Sequence, residues 1–281
     1  MTSLSGHGAL GAYGLILTGL PGASASMQPQ EPKALPFEVT VEPSEDVNPV
    51  DDPQSRLNQA SARVRLIGGG WLHMDKGDPR ARFALPGRPP DPELLHPYLA
   101  PAAAVHWQWS GHEALHAGAF GVRDGVVLVL GDKEDGKSTT LARLATAHAV
   151  PVLTDDLAVY SEGRVFPGPR TIDLRAASWS ELQPETTLVR GDRHRLELPC
   201  FVGSTQVRGV AILAWADRIA LSPVPLAERI TNLARQRTFP SLAADPVTLL
   251  DLASVPMVTA ARPKDLDHLD RFVITLADYF S

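Results

Sequence analysis

The sequence of 281 residues has a single cysteine, no lysine or arginine before Lys33, and no excess of basic residues. One cysteine, Cys200, excludes an intramolecular disulfide and suits a reducing compartment, and we expect it to be a small buried side chain. The lack of early positive charge argues against a secretory signal peptide in the apolar first 25 residues. The apolar stretch Leu15–Leu20 is broken and too short to span a bilayer. We therefore expect a cytoplasmic protein that has no membrane partner.

The charge distribution argues against one further class of partner. A chain that binds nucleic acid usually carries a basic excess, whereas this chain has a net charge of −6, so we expect no nucleic-acid partner. Residues 1–60 hold seven carboxylates against Lys33 and Arg56, a net charge of −5, and the rest of the chain is nearly neutral. Residues 42–60, which are acidic and rich in proline and serine, are typical of a loop.

Hydrophobic periodicity and turn residues predict short strands and helices. Strands are expected at Tyr13–Leu17, Phe37–Val41, Arg63–Ile67, Trp71–Met74, Val105–Trp109, Ala114–Phe120, Val126–Leu130, Val152–Leu153 and Val207–Trp215, and helices at Leu94–Ala104, Ser138–His148, Leu226–Arg237, Thr248–Ala253 and Asp265–Tyr279. The length suits one large domain or two small ones. We predict an α/β protein with a smaller β-rich domain over residues 1–110 and a second domain over residues 111–281, which meet near Gly111.

A glycine-rich segment carries the strongest functional signal. Residues 131–138 fit the phosphate-binding pattern G-x-x-x-x-G-K-[ST], between an apolar strand and a helical pattern. Backbone N–H groups of such a loop and of the helix N-terminus hold phosphate, the lysine reaches the β and γ phosphates, and the serine hydroxyl binds Mg²⁺. The predicted nucleotide-binding residues are Gly131, Asp132, Lys133, Glu134, Asp135, Gly136, Lys137, Ser138 and Thr139. Its three carboxylates oppose phosphate unless they point to solvent or hold the metal.

An acid pair and a histidine accompany this loop. Asp155 and Asp156 end the strand that follows the predicted helix, and we expect that strand to lie beside the loop strand. One carboxylate can hold Mg²⁺ and the other can accept the proton of an attacking hydroxyl. His116 belongs to the predicted strand before the loop strand, so antiparallel pairing would bring it to the phosphate site, where it could tune a carboxylate. The expected cofactors are ATP and Mg²⁺.

These motifs together resemble a known family. The segments Leu115–Gly118, Gly125–Leu130, the loop itself and Leu153–Asp156 are similar, in order and spacing, to the catalytic core of HPr kinase/phosphorylase. They look still more like its short relatives that phosphorylate lasso-peptide precursors. The resemblance covers Leu115–Tyr160. It implies a P-loop core of the HPr kinase and phosphoenolpyruvate carboxykinase type, and ATP-dependent phosphorylation of a serine on a peptide or small protein.

The resemblance also implies roles for individual residues. Lys137 and Ser138 match the phosphate and metal residues. Asp155 matches the catalytic base and Asp156 its metal-linked neighbour, although these two roles are interchangeable on the sequence. His116 matches the histidine that supports the acid pair. The oligomeric state stays open, a homo-oligomer included.

The chain departs from the family at several points. Glu134 stands where the family has a glycine, and Thr139 stands where HPr kinases have a glutamate. No C-terminal segment resembles the one that the bifunctional enzymes use against HPr. We therefore expect neither dephosphorylation nor HPr itself as substrate.

Two alternative functions stay open on the residues. His112-Glu113-x-x-His116 matches the zinc-peptidase pattern H-E-x-x-H, but neighbouring glycines leave fewer than two helical turns for it. The other alternative is a non-catalytic nucleotide-binding module, which the acidity of the phosphate loop favours.

Arginines outside the loop offer weaker candidates. The basic stretch Arg190–Arg195 is interpreted as a solvated loop or as a guide for an acidic peptide or phosphate. Arg235 and Arg237 could neutralise charge that develops during transfer, or could simply be favourable cations at a helix C-terminus. Trp107 and Trp109 are predicted to be core residues, with a place in a peptide groove as the alternative for one of them.

Overall fold

The computed structural model describes residues 9–31, 33–44, 55–66, 68–201, 203 and 205–281. Ile67 and residues 45–54, most of the predicted acidic loop, lie outside these ranges. Within the described ranges the chain is a mixed α/β structure with four β-sheets, which agrees with the predicted class.

The first sheet contains eight strands, all before residue 86: β1 Leu10–Ala12, β2 Leu15–Thr18, β3 Gln28–Pro29, β4 Leu35–Pro43, β5 Arg56–Leu57, β6 Ser61–Arg65, β7 Trp71–Asp75 and β8 Arg80–Leu85. Their order is β3-β1-β2-β4-β8-β7-β6-β5. Strand β4 is parallel to both neighbours, and the other pairs are antiparallel. The strand predicted from Tyr13 begins only at Leu15, because Tyr13 and Gly14 have φ of 58° and 75° and form the turn after β1.

The helices are α1 Asp91–Glu93, α2 Leu99–Trp109, α3 Lys137–His148, α4 Ala176–Leu182, α5 Leu226–Arg235, α6 Pro246–Ser254 and α7 Leu269–Tyr279, with a 3-10 helix at Pro21–Ser26 and a π-helical turn at Leu94–Tyr98. The strand predicted at Val105–Trp109 is wrong, because these residues form the last turns of α2. This helix is buried on nearly all sides, so its apolar residues do not follow one face and mimic the alternation of a strand. Trp107 and Trp109 are core residues, as predicted.

The second sheet carries the phosphate-loop motif. Its strands are β10 Gly118–Val122, β11 Gly125–Leu130, β12 Val152–Thr154, β18 Val207–Trp215, β19 Ala220–Pro223 and β20 Met257–Arg262. Their order is β12-β10-β11-β18-β20-β19, and β11, β18 and β20 run parallel. Strand β10 is antiparallel to both β11 and β12 and lies between them. The acid-pair strand β12 is therefore not beside the loop strand, as expected, but one strand further away.

Helices cover both faces of this sheet. Strand β11 is buried throughout, which is typical of a parallel strand between two helical layers. Val127 and Val129 pack with residues of α3 and α7, whereas Leu128 and Leu130 pack with residues of α5 and α6. Because successive side chains of a strand point to opposite faces, these two sets fix β11 at the centre of the fold and the loop at its carboxyl end.

Two three-stranded sheets complete the fold. One has the order β14-β13-β9, with β9 Glu113–Leu115, β13 Ala158–Ser161 and β14 Arg164–Val165, and the other has the order β15-β17-β16, with β15 Thr171–Arg175, β16 Thr187–Arg190 and β17 Arg193–Glu197. The single strand predicted at Ala114–Phe120 is thus two strands in different sheets, with a break at His116 and Ala117. The basic stretch is not one solvated loop, because Arg193–Arg195 belong to β17 and Arg195 is buried.

The hydrophobic cores do not follow the sheets strictly. The core of the first sheet also contains later residues, among them Ala114, Leu157, Val159 and Leu242. The domain boundary near Gly111 stays a prediction. In the part of the chain that the structure describes, none of the helices combines the length and apolarity needed to cross a membrane.

Candidate active site

The phosphate loop connects β11 to α3, and its geometry requires glycine at residue 136. Gly136 has φ of 84°, in the left-handed region, and precedes the first residue of α3. A Cβ at this position would lie 2.6 Å from Nη2 of Arg262 and 3.3 Å from Cη2 of Trp215. Backbone conformation and space therefore both exclude a side chain here.

Lys137 spans the loop from within. Its side chain is largely buried, and its Nζ donates hydrogen bonds to the carbonyl oxygens of Gly131 at 2.5 Å and Asp132 at 3.2 Å. Burial lowers the pKa of Lys137, against the opposing effect of Asp156 and Asp155. The ammonium group is thus held at the loop, where a bound phosphate chain would accept its hydrogen bonds instead.

The three carboxylates of the loop each have a partner. The backbone N–H of Asp132 donates to Oδ2 of Asp135 at 2.5 Å, so one loop amide is already occupied by an acid. Oδ1 of Asp132 accepts from Nε2 of Gln236 at 3.3 Å. Glu134 pairs with Arg175 at 2.8 Å, which lowers the pKa of Glu134. Two acids are therefore turned to protein partners, and Asp135 competes with phosphate for an amide.

The acid pair lies directly beside the loop. Asp155 is buried, its Oδ2 accepts a hydrogen bond from Oγ of Ser138 at 3.1 Å, and its Oδ1 has no partner among the described residues. Burial, and after it the charge of Asp156, raise the pKa of Asp155 well above its usual range. Asp156 is only half-buried and lines the same cavity. The two carboxylates thus have different surroundings, one enclosed against Ser138 and one open to the cavity.

The residues at this end of the cavity fit Mg²⁺. Ser138, Asp155 and Asp156 offer only oxygen atoms, which Mg²⁺ prefers, and the unpartnered buried Oδ1 of Asp155 lacks a positive neighbour. No group of three or more His, Cys, Asp or Glu side chains that could hold a metal exists in the described part of the chain. The donor set therefore suits an ion that arrives with nucleotide phosphates, since Mg²⁺ commonly takes only one or two carboxylates from the protein.

His116 occupies the break between β9 and β10. Its backbone N–H donates to the carbonyl oxygen of Gln236 at 2.7 Å, and Nδ1 lies 3.2 Å from the carbonyl oxygen of Asp156. A carbonyl only accepts, so this contact requires the proton on Nδ1. Partial burial, followed by the charge of Lys137, lowers the pKa of His116 and keeps the ring neutral. The structure therefore brings His116 to the acid pair, as antiparallel pairing with the loop strand predicts.

Tyr13 was missed as a site residue by sequence reasoning. It lies in the turn after β1, is fully buried, and its backbone N–H donates to the carbonyl oxygen of Pro167 at 2.6 Å. Burial raises the pKa of Tyr13, and the charges of Asp156 and Asp155 add to this shift. The first sheet thus reaches the back of the acid pair.

A second wall faces the loop across a cavity of about 620 Å³. It comes from residues 171–197, and its lining side chains include Asp173, Arg175, Ser178 and Arg193. Oγ1 of Thr139 lies 2.9 Å from Oγ of Ser178, which ties this wall to the first turn of α3. Sequence reasoning missed Arg175 and Ser178 entirely, and the basic stretch was the one signal that pointed to Arg193.

A buried arginine anchors this wall. Arg195 donates to both carboxylate oxygens of Asp173, at 2.7 and 2.8 Å, and to the carbonyl oxygens of Pro92 at 2.9 Å and His96 at 2.7 Å. The wall is thus attached to the segment that follows the first sheet.

Three sequence candidates lie elsewhere. The H-E-x-x-H segment has no helix, because Glu113 starts strand β9, and this buried carboxylate accepts a 2.7 Å hydrogen bond from Nε of Arg237. Glu113 and Arg237 are therefore a structural ion pair rather than a general base and a transfer residue. Arg235 is exposed at the end of α5, and neither arginine lines the cavity.

Comparisons with known proteins give limited similarity. No protein-family model matches the chain, and no curated protein matches its sequence. Among solved structures, the Hpr(Ser) kinase/phosphatase from Coxiella burnetii is similar to 59% of this chain and 96% of its own, with 10% sequence identity and a TM-score of 0.30. The case for function therefore depends on the geometry of the cavity.

Proposed function

We propose that this protein is a phosphotransferase that moves the γ-phosphoryl group of ATP to a serine hydroxyl of a peptide or small protein. One observation carries the proposal. A single cavity contains the lysine of a phosphate loop, a buried carboxylate that accepts from the loop serine, a second open carboxylate and a neutral histidine. Phosphoryl transfer requires phosphate positioning, charge neutralisation and a proton acceptor together.

The chain's own residues divide the reaction between them. The loop amides and Lys137 hold the phosphates, and Ser138 with Asp155 would hold Mg²⁺. When bound, Mg²⁺ neutralises charge on the phosphates. Asp156 is the base, because it is the carboxylate open to the cavity, and His116 positions it. The serine oxygen bonds to the γ-phosphorus, the bond from that phosphorus to the β–γ bridging oxygen breaks, the serine proton goes to Asp156, and ADP leaves.

This assignment uses the freedom that the sequence leaves. The family resemblance matches Asp155 to the base and Asp156 to the metal-linked acid, with the roles interchangeable. The hydrogen bond from Ser138 to Asp155 supports the exchanged roles, since the loop serine is itself a metal ligand in such sites.

The acceptor class is the finer part of the proposal. A serine in a lasso-peptide precursor is supported by the sequence resemblance of Leu115–Tyr160, and a homo-oligomer stays a prediction. The competing function is a nucleotide-binding module without turnover. It is favoured by the loop's internal bonds, because Asp135 and the carbonyls of Gly131 and Asp132 already occupy an amide and Lys137.

Label transfer separates these two functions. The wild-type chain is incubated with γ-labelled ATP, Mg²⁺ and a library of serine-containing peptides, with each positive peptide repeated as its serine-to-alanine version. We expect label on the serine peptide alone, and none with Asp156→Asn, although this variant still binds Mg-ATP in a titration. Binding of Mg-ATP without transfer to any peptide would favour the binding module. Absence of binding would reject both functions.

A further inference from the structure

Two arginines of the second wall face each other in an unfavourable arrangement. Arg175 of β15 and Arg193 of β17 are direct cross-strand partners, and both line the cavity opposite the phosphate loop. Cross-strand partners point to the same face of a sheet, and like charges in this position destabilise it. The fold therefore contains a local concentration of positive charge that strand pairing by itself disfavours.

The surrounding groups compensate this charge only in part. Arg195, the third arginine of the wall, is buried and committed to Asp173. Arg193 has no carboxylate within salt-bridge distance in the described part of the chain, and its Nη1 donates to the carbonyl oxygen of Asp173 at 3.4 Å. Arg175 has one acidic partner, Glu134. An anion between Arg175 and Arg193 would complete the compensation.

The partner of Arg175 shows where that anion lies. Glu134 belongs to the phosphate loop, so a 2.8 Å contact places the guanidinium of Arg175 against the loop itself. The side chains are 38% and 66% exposed, and exposed ion pairs of this kind are weak and readily exchanged. A guanidinium offers a planar fork of N–H donors that matches phosphate oxygens in pairs. A phosphate chain bound at the loop would thus take Arg175 from Glu134.

We propose that Arg175 and Arg193 form an anion clamp that contacts the phosphate groups of the nucleotide from the side opposite the loop, with Glu134 holding Arg175 while the nucleotide is absent. The inference rests on the proposed nucleotide binding and adds two residues to it. An acidic group on the acceptor peptide is the competing anion. The position of Glu134 inside the phosphate loop favours the nucleotide, because it brings Arg175 to the phosphates rather than to the outer mouth of the cavity.

The decisive measurement is Mg-ATP affinity by calorimetric titration of Arg175→Ala in two backgrounds. We expect about a tenfold or greater loss relative to wild type, and a similar loss when Arg175→Ala is compared with Arg175 in a Glu134→Gln chain. If Arg175 only neutralises Glu134, its removal costs nothing once Glu134 is uncharged, and that result would overturn the clamp. Arg164→Ala is the matched control, since Arg164 forms a 2.8 Å exposed pair with Glu31 outside the cavity and should leave affinity unchanged.

Arg193→Ala supplies a readout that a structural role would not give. Removing one of two opposed positive charges should leave the thermal midpoint unchanged or raise it, while Mg-ATP affinity falls about tenfold. A lowered midpoint with wild-type affinity would show that Arg193 serves the sheet alone.

Two further outcomes separate this inference from the function beneath it. If the wild-type chain binds no Mg-ATP, the proposed function fails first. If wild type binds it and both arginine variants bind it equally well, the clamp alone is rejected. Unchanged Mg-ATP affinity with weaker use of an acidic serine peptide would assign the arginines to the acceptor.

Discussion

The two walls of the cavity are built in opposite ways. The loop wall follows the chain directly, since β11, residues 131–138 and α3 are consecutive, and its key groups Lys137 and Asp155 are buried. The opposite wall brings Arg175 and Arg193 together by pairing β15 with β17, and both arginines stay partly exposed. The first wall is set by local spacing and core packing, whereas the second is set by strand register. Changes in the loop wall should therefore have the larger effects.

The loop lysine should give the largest effect. Lys137→Ala removes the one buried ammonium at the loop, and we expect at least about a 100-fold loss in Mg-ATP affinity or turnover. Lys133→Ala is the matched control, because Lys133 lies in the same loop but is exposed. Similar losses in both variants would mean that general charge, rather than the position of Lys137, holds the phosphates.

The acid pair sharpens the comparison within the loop wall. Asp155→Asn and Asp156→Asn should each abolish label transfer, but only Asp155→Asn should raise the thermal midpoint. The reason is that burial and Asp156 raise the pKa of Asp155, so its ionised form is unfavourable in the folded state at neutral pH. Differential scanning calorimetry at pH 7 measures this. A lower midpoint for Asp155→Asn would show that its hydrogen bond to Ser138 outweighs the cost of burying the charge.

The contrast between the walls also explains what sequence could predict. Strand, loop and helix around residues 131–138 were predictable because each has its own local pattern. The neighbourhood of Asp155 was predicted although β12 lies one strand further out than expected, since α3 carries the chain over β10 in any case. Arg175 and Arg193 could not be paired from sequence, because their meeting depends on a register across 17 intervening residues. Val105–Trp109 failed because burial on all sides removes the helical period.

The two histidines of the H-E-x-x-H segment provide the next test. His116→Ala should lower transfer about tenfold or more, because His116 contacts the backbone of Asp156 and lines the cavity. His112→Ala should have little effect on transfer, since its ring packs against Trp107 at a centroid distance of 5.0 Å and does not line the cavity. The assay is label transfer to one positive peptide, with folding checked by calorimetry. Equal and severe losses, together with stoichiometric zinc in the purified protein, would favour the peptidase alternative.

A smaller effect is expected where the two walls touch. Glu134 has φ of 80°, a conformation that favours glycine, and its charge opposes phosphate. Glu134→Gly should tighten Mg-ATP binding about fivefold, and Glu134→Gln should tighten it less, because only glycine also relieves the backbone. Titration of both variants separates the two contributions. Weaker binding by Glu134→Gly would instead make Glu134 a metal-linked or substrate-linked residue.

The smallest effect should come from behind the loop wall, where Asp270 of α7 braces α3. Its Oδ1 accepts from Nε of Arg143 at 2.6 Å and lies 3.0 Å from Nε2 of His148, contacts that lower the pKa of Asp270 to about 2. A carboxylate whose pKa is depressed on folding stabilises the fold above its unfolded pKa and loses that contribution as pH falls through its folded value. Asp270→Asn should therefore lower the thermal midpoint by about 1–3 °C near neutral pH, a small shift because the pair is partly exposed. The difference from wild type should shrink between about pH 4 and pH 2, and Mg-ATP affinity should not change. A constant difference across that range would show that Asp270 acts through packing and not through its charge.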